Sequence, residues 1–303
     1  MEFGICIPHY GKPIDVPGII ANVRRAEALG FDSVWVTDHV VVPRSMNIIY
    51  RDHMLEPVAL LSHIAALVPR VKLGTSVLIL PYRNPVVLAK MLATIDQLSG
   101  GRLIVGVGGG WMTEEFAALD TSFSERGKIS DEYLRLLREM WSHETLSFHG
   151  QYTEFDDMQV SPLPVQSHLP VWVGGISARA RRRAAEFGDG WHATALPPEA
   201  LAEGYQHLKG MWKKYGRAGE PVLSMRAHLF ITGVSDEVLS YPPRPGYDLL
   251  RGDLDSVTAR LRRYQEVGVH HLVFELSTQS FEGSARTMET FMSKIKPQLS
   301  GRA

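Results

Sequence analysis

The sequence predicts an eight-fold (β/α)8 TIM barrel, and two observations carry that prediction. Short apolar runs rich in β-branched residues alternate with segments of helical periodicity from one end of the chain to the other. The pair recurs eight times, and strand–helix–strand units force parallel pairing through right-handed crossovers, which eight units close into a ring. A doubly wound open sheet is the structural alternative.

The elements follow in order. Phe3 to Pro8 reads as the first strand. Pro17 then opens a helix with Ile20, Val23, Ala26 and Leu29 on one face, and Gly30 stops it. Ser33 to Thr37 is the second strand and Pro57 to Val68 its helix. Val71 to Leu80 with Val86 to Leu98, then Leu103 to Val107 with Glu125 to Trp141, repeat the unit. Val171 to Val173 precedes helix Ala178 to Phe187, and Gly190 to Thr194 precedes Pro198 to Tyr215. Val222 to Ile231 with Leu254 to Val267, and His271 to Leu276 with Phe281 to Ile295, complete the set.

Three connections exceed ordinary length: Thr37 to Glu56, Ser142 to Pro170 and Gly233 to Gly252. The first and third follow strand C-termini and should rise over the barrel mouth, the third as a mobile lid. The middle one, around His149-Gly150-Gln151, suggests a small hairpin.

Bulk properties fit one domain over residues 1–303. Hydrophobic residues make up 45% and charged ones 21%, enough for a large core and too apolar for disorder. Lys+Arg 32 against Asp+Glu 33 leaves a net charge of -1, which gives no reason to expect nucleic acid or an anionic membrane as partner. The single cysteine, Cys6, excludes an intrachain disulfide and reads as a buried structural thiol. No signal peptide and no membrane-length apolar run is visible, so the expected location is cytoplasmic.

In a barrel, polar residues just past strand C-termini are the functional candidates. That filter selects His9 and Tyr10, Asp38 and His39, Thr75 and Ser76, the Gly108-Gly109-Gly110-Trp111 run, and Gly174-Gly175-Ile176-Ser177. It also selects Trp191, His192 and Thr194, then His228 and Glu275. No lysine lies at a strand C-terminus, which removes Schiff-base chemistry, and the histidines lack a recognisable metal-ligand spacing, so no metal is expected.

Gly106-Val107-Gly108-Gly109-Gly110-Trp111 approaches a dinucleotide fingerprint, but Trp111 occupies the third required glycine. The glycine runs are tight strand–helix turns or places where a flat ring or phosphate meets bare backbone. Gly174-Gly175-Ile176-Ser177 leads into a helix whose N-terminal N–H groups can face an anion, with Arg179 nearby.

The chain resembles the luciferase-like oxidoreductases that use FMN or the deazaflavin F420, and it looks closest to their F420-dependent branch. The resemblance spans nearly the whole chain, through Leu29-Gly30-Phe31-Asp32-Ser33-Val34-Trp35-Val36-Thr37-Asp38-His39, Leu73-Gly74-Thr75-Ser76-Val77-Leu78 and Asn84-Pro85. It continues in Ser99-Gly100-Gly101-Arg102, Gly106 to Trp111, Phe123 to Gly127, Pro170 to Gly175 and Gly188 to Trp191.

The resemblance implies a cofactor ring over the barrel mouth, carried on a non-proline cis peptide that maps to Ser76-Val77. Cofactor phosphates would lie near Gly175, Ile176, Ser177 and Ala178. His39 would act close to the ring as a proton donor or hydrogen-bond partner, with Asp38 and the glycines of both runs completing the cradle. His9, Tyr82, Trp111 and His192 would border the substrate. Trp111 stands where some F420 dehydrogenases carry a catalytic glutamate, which leaves the acid/base unassigned. The implied activity is hydride transfer between F420 and a small organic substrate. The alternative is an FMN-dependent monooxygenase using O2 and a partner flavin reductase. Relatives commonly dimerise, which implies a homodimer.

Overall fold

Capping chemistry at the helix ends converts the alternating pattern into discrete elements. The protein, described here by a computed structural model over residues 1–11, 14–46, 53–235, 246–278 and 280–299, begins with β1 (Glu2–Cys6) and α1 (Val16–Leu29). Asp15 accepts from the Gly18 N–H at the start of α1, and Gly30, at φ 84°, closes it in the left-handed conformation that a Cβ disfavours. β2 (Ser33–Val36), α2 (Pro57–Leu67), β3 (Lys72–Thr75), β4 (Leu78–Ile79) and α3 (Pro85–Ser99) follow. Next come β5 (Leu103–Gly108), α4 (Thr113–Ala118), α5 (Arg126–Met140) and an antiparallel hairpin of β6 (Thr145–His149) and β7 (Glu154–Gln159).

The second half contains β8 (Val171–Gly174), α6 (Ala178–Phe187), β9 (Gly190–Thr194), α7 (Pro198–Lys214) and β10 (Val222–Ile231). β11 (Leu250–Gly252), α8 (Leu254–Val267), β12 (His271–Leu276) and α9 (Phe281–Thr290) come next. A π-helical turn over Phe291–Ile295 then runs into α10 (Lys296–Leu299). The barrel order is β12-β1-β2-β3-β5-β8-β9-β10, all parallel, and the β10–β12 pairing closes it. The small strand β11 adds to β10 outside the ring. Among the described residues no helix is long and apolar enough to cross a membrane.

The interior of the ring is aromatic. Trp35 stacks on Trp172 at 5.4 Å and on His192 at 5.3 Å, in one cluster with Cys6, Ile104 and Val273. It fits because its neighbours have no side chain. A Cβ on Gly74 would lie 2.2 Å from the indole, and one on Gly4 would lie 2.6 Å from it. Burial pushes the Cys6 thiol up to about 11 and keeps it inert. The second core lies between strands and helices, where residues such as Ile19, Leu61, Leu92 and Leu137 are fully covered. A buried Leu or Ile side chain contributes about 1.5–3 kcal/mol there.

The sequence differs from the fold in one strand. The expected Val71–Leu80 strand is split: β3 ends at Thr75, a cis peptide joins Ser76 to Val77, and β4 resumes for two residues before a 3-10 turn over Leu80–Tyr82. β3 and β4 each pair with β5, in separate registers. The expected hairpin near His149 is present as β6 and β7.

Candidate active site

The break in the third strand forms the floor of a cavity of about 1190 Å³ at the C-terminal mouth. Thr75 donates its hydroxyl to the Gly106 carbonyl at 2.7 Å, and the Ser76 N–H donates to the Val36 carbonyl at 2.7 Å. The Val77 side chain projects between strands. A Cβ on Gly108 or Gly174 would meet its methyls at 2.8 Å, and one on Gly106 would sit 1.8 Å from the Thr75 carbonyl oxygen. These three glycines therefore make room for the protein's own bulge. Gly109 and Gly175, whose added Cβ would meet nothing nearer than 3.2 Å, leave backbone bordering the cavity. The cavity also reaches Gly110, where a Cβ would strike Ile79 and Phe116.

Beneath the floor lies a charged brace. Arg226, on β10, donates to the Ser76 carbonyl at 2.9 Å and to the Thr37 hydroxyl at 3.2 Å, and pairs with Glu275 on β12 at 2.9 Å through Nε. Tyr10 donates to the other Glu275 oxygen at 3.0 Å. Both members of the ion pair are buried, so each satisfies a charge that would be costly alone.

Asp38 and His39 follow β2. The Asp38 carboxylate is taken up by a bidentate Arg83 guanidinium, at 2.6 and 2.9 Å, and by the Ile79 N–H at 2.9 Å. Asp38 borders the cavity while fixing the turn after β4. His39 forms part of the cavity wall, with its ring edge-on to Trp111 at 5.8 Å. Its Nδ1 lies 2.8 Å from an oxygen of Glu115, a fully buried residue of α4. The same carboxylate accepts the Tyr82 hydroxyl at 2.9 Å, the Val41 N–H at 3.1 Å and the Val40 N–H. Burial pushes the Glu115 carboxyl up; the bond and charge of His39, with the Val40 and Tyr82 donors, more than reverse this and hold it below the usual carboxylate range.

The other end of the cavity is cationic. Gly174, Gly175, Ile176 and Ser177 lead into α6, and Ser177 caps it by accepting from the Ala180 N–H at 3.2 Å. Arg126, Lys128, Arg179, Arg182 and Arg183 line this end. Asp131 engages Arg182 and Arg183, whereas Arg179 makes no ion pair among the described residues. Lys128 lies 3.8 Å from Glu125, and Arg126 donates to the Phe123 carbonyl at 2.7 Å. A helix N-terminus beside cations in excess favours an anion.

The structure therefore gathers Asp38, His39, Ser76, Val77, Gly108, Gly109, Gly110, Trp111, Gly174, Gly175, Ile176 and Ser177 on one cavity, and Ala178 opens α6 beside it. It does not bring His9, Tyr82 or His192 to the cavity lining. His9 is fully enclosed between the Leu55 carbonyl and the Thr37 N–H, and burial pushes it down to about 4. His192 bridges the Ser76 and Ser224 hydroxyls at 2.8 Å each inside the barrel, and burial pushes it down to about 3. Tyr82 packs on Phe116 and spends its hydroxyl on Glu115. Sequence reasoning overlooked Glu115, Arg226, Arg126 and Lys128. Glu115 sits in a six-residue helix beyond the strand ends, 76 positions from His39, and nothing in the sequence joins them.

This geometry belongs with a known group of proteins. The profile of the family described as luciferase-like monooxygenase matches residues 1–248. The chain belongs to the luciferase-like monooxygenase family. Luciferase-like proteins include an F420-dependent glucose-6-phosphate dehydrogenase of Amycolatopsis mediterranei, 35% identical over 322 residues, covering 93% of this chain and 94% of that one. They also include an FMNH2-dependent dimethylsulfone monooxygenase of Pseudomonas putida, 35% identical over 147 residues, covering 47% of this chain and 40% of that one. Among solved structures, an F420-dependent secondary alcohol dehydrogenase in complex with an F420-acetone adduct superposes with a TM-score of 0.81 at 18% identity, covering 98% of each chain. The protein is thus an enzyme of an oxidoreductase family whose members employ F420 or FMN.

Proposed function

We propose that this luciferase-like protein is a coenzyme F420-dependent oxidoreductase that moves a hydride between the deazaflavin and a small organic substrate. The observation that carries this reading is the cationic end of the cavity. Arg126 and Arg179 line this end beyond the Arg182 and Arg183 that Asp131 neutralises, together with Lys128, whose partner Glu125 has a 40% exposed side chain and lies 3.8 Å away. FMN ends in one phosphate, whereas F420 extends past its phosphodiester into carboxylates, and the larger anion suits this larger set of cations. The extent of similarity to the F420-dependent dehydrogenase of Amycolatopsis, over nine-tenths of both chains, supports the same choice.

The residues fit such a group. Val77, Ile79 and Ile176 offer apolar surface to a flat ring, and Gly109 and Gly175 leave backbone open. When bound, the deazaflavin supplies the hydride chemistry. The protein's contribution is to seat the tail on α6 and to orient the substrate between His39, Trp111 and the loops carrying Met46 and Tyr247. His39 holds or releases the proton that accompanies hydride transfer.

Parallel titration of the apoprotein with F420 and FMN, followed by fluorescence, tests the reading. Tight binding of F420 and weak binding of FMN is the expected result. Tight binding of FMN alone would transfer the protein to the monooxygenases, with O2 as co-substrate and a flavin reductase as partner. That second reading is favoured by the 147-residue similarity to the dimethylsulfone enzyme.

We propose a homodimer in addition. Val87, Met91 and Leu98 form an exposed apolar stripe on α3, at helical spacing, and a second copy of the chain covers it.

A further inference from the structure

An ionised carboxylate can only accept hydrogen bonds, and this fixes more about His39 than its position. Glu115 is fully buried beside Ile79, Tyr82 and Phe116, where an unpaired charge would cost several kcal/mol. Its two oxygens accept from Tyr82, Val40, Val41 and His39. Because Glu115 is ionised and has no proton to give, the hydrogen between it and His39 belongs to Nδ1.

A buried carboxylate at that place carries a desolvation cost that a space-filling apolar side chain would not. The arrangement ties three parts of the chain to one group: α4, the turn after β4 through Tyr82, and the first residues of the loop after β2. Among the described residues, the other ionisable groups near His39 are Asp38, paired with Arg83, and the Tyr82 phenol, which its burial beside Glu115 keeps protonated.

We propose that Glu115 is a positioning residue that holds His39 as the Nδ1–H tautomer, so that Nε2 is the atom that exchanges the proton of the reaction. Glu115 thereby plays towards His39 the part that a buried acid plays towards a histidine base elsewhere: it orients the ring and fixes which nitrogen carries the proton. The role of this pair in turnover rests on the hydride-transfer reading above. The tautomer itself is a property of the apoprotein.

The test is therefore made first without cofactor. In the 15N NMR spectrum of the apoprotein, the His39 signals should report a protonated Nδ1 and an unprotonated Nε2 above pH 8. In Glu115→Gln that preference should be lost. Tyr82→Phe, which removes one donor and leaves the pair intact, should keep the wild-type tautomer. Unchanged His39 signals in a folded Glu115→Gln protein would overturn the proposal, as would an Nε2–H tautomer in the wild type. If Glu115→Gln does not fold, the wild-type and Tyr82→Phe spectra still decide between the tautomers.

With F420 and substrate, Glu115→Gln should lower kcat by 10²-fold or more with KM changed less than threefold, and Glu115→Asp should recover part of the loss. A KM effect alone would overturn the turnover role. Failure of the chain to bind F420 would refute the cofactor assignment while leaving the tautomer result standing.

Discussion

Arg226 on β10 donates to the Ser76 carbonyl at 2.9 Å from across the barrel, four strands away in either direction around the ring. One side chain therefore props the broken third strand from below, and Glu275 neutralises it there.

Arg226→Met should leave the buried Glu275 without its ion-pair partner on β10, and should cost about 3–5 kcal/mol of stability. The double variant Arg226→Met/Glu275→Leu should recover most of that, since an apolar pair carries no desolvation cost. Urea denaturation of the three proteins checks this; equal losses in the single and double variants would contradict it.

The glycines should divide into two kinds. Gly106→Ala drives a methyl into the Thr75 carbonyl and should destabilise by about 3 kcal/mol. Gly109→Ala, whose Cβ meets only the Ser130 hydroxyl at 3.6 Å, should keep its stability within about 1 kcal/mol. Gly109 borders the cavity, so a methyl there should lower the affinity for the proposed cofactor. Thermal melts and the fluorescence titration separate the two effects.

Acid should weaken the fold before its carboxylates titrate. His9 and His192 are held neutral in the folded barrel down to about 4 and about 3, whereas in the unfolded chain they take up protons near pH 6.5. Between those limits the unfolded state binds more protons, so stability is complete above pH 7 and declines as pH falls from 6.5 towards 4. Each histidine contributes up to about 1.4 kcal/mol per pH unit in that window. Unfolding free energy measured from pH 7 to pH 4.5 should slope accordingly, and His192→Asn should reduce the slope by one proton; an unchanged slope would count against the assignment.

If the proposed homodimer forms through α3, Met91→Glu/Leu98→Glu should convert it to monomer with little change in monomer folding, because both side chains are exposed there. Sedimentation velocity reads the outcome directly, and a wild-type protein that sediments as a monomer would remove the proposed interface.

Most of the barrel was legible because parallel strands covered on both faces read as unbroken apolar runs, and Gly30 and Gly100 mark helix ends that the structure closes with left-handed glycines. The site was legible where strand ends carry it, as at Asp38-His39 and Gly174 to Ser177. Strand-end position does not reveal whether a side chain points into the mouth or into the barrel, and so His9 and His192 went to the wrong side of that division. Arg226 lies in mid-strand and Glu115 beyond a strand in an acidic helical turn; both look solvent-facing until the partner 49 or 76 residues away is known.

The Val77 bulge separates what can vary from what cannot. Its three glycines, the Ser76 carbonyl and Arg226 interlock so closely that a change in any one strains the others, whereas Met46, Trp111 and Tyr247 border the same cavity without taking part in that interlock. Natural or laboratory evolution could therefore retailor the substrate at three bordering positions while inheriting the proposed cofactor seat unchanged, which would make this barrel a modular starting point for new reactions.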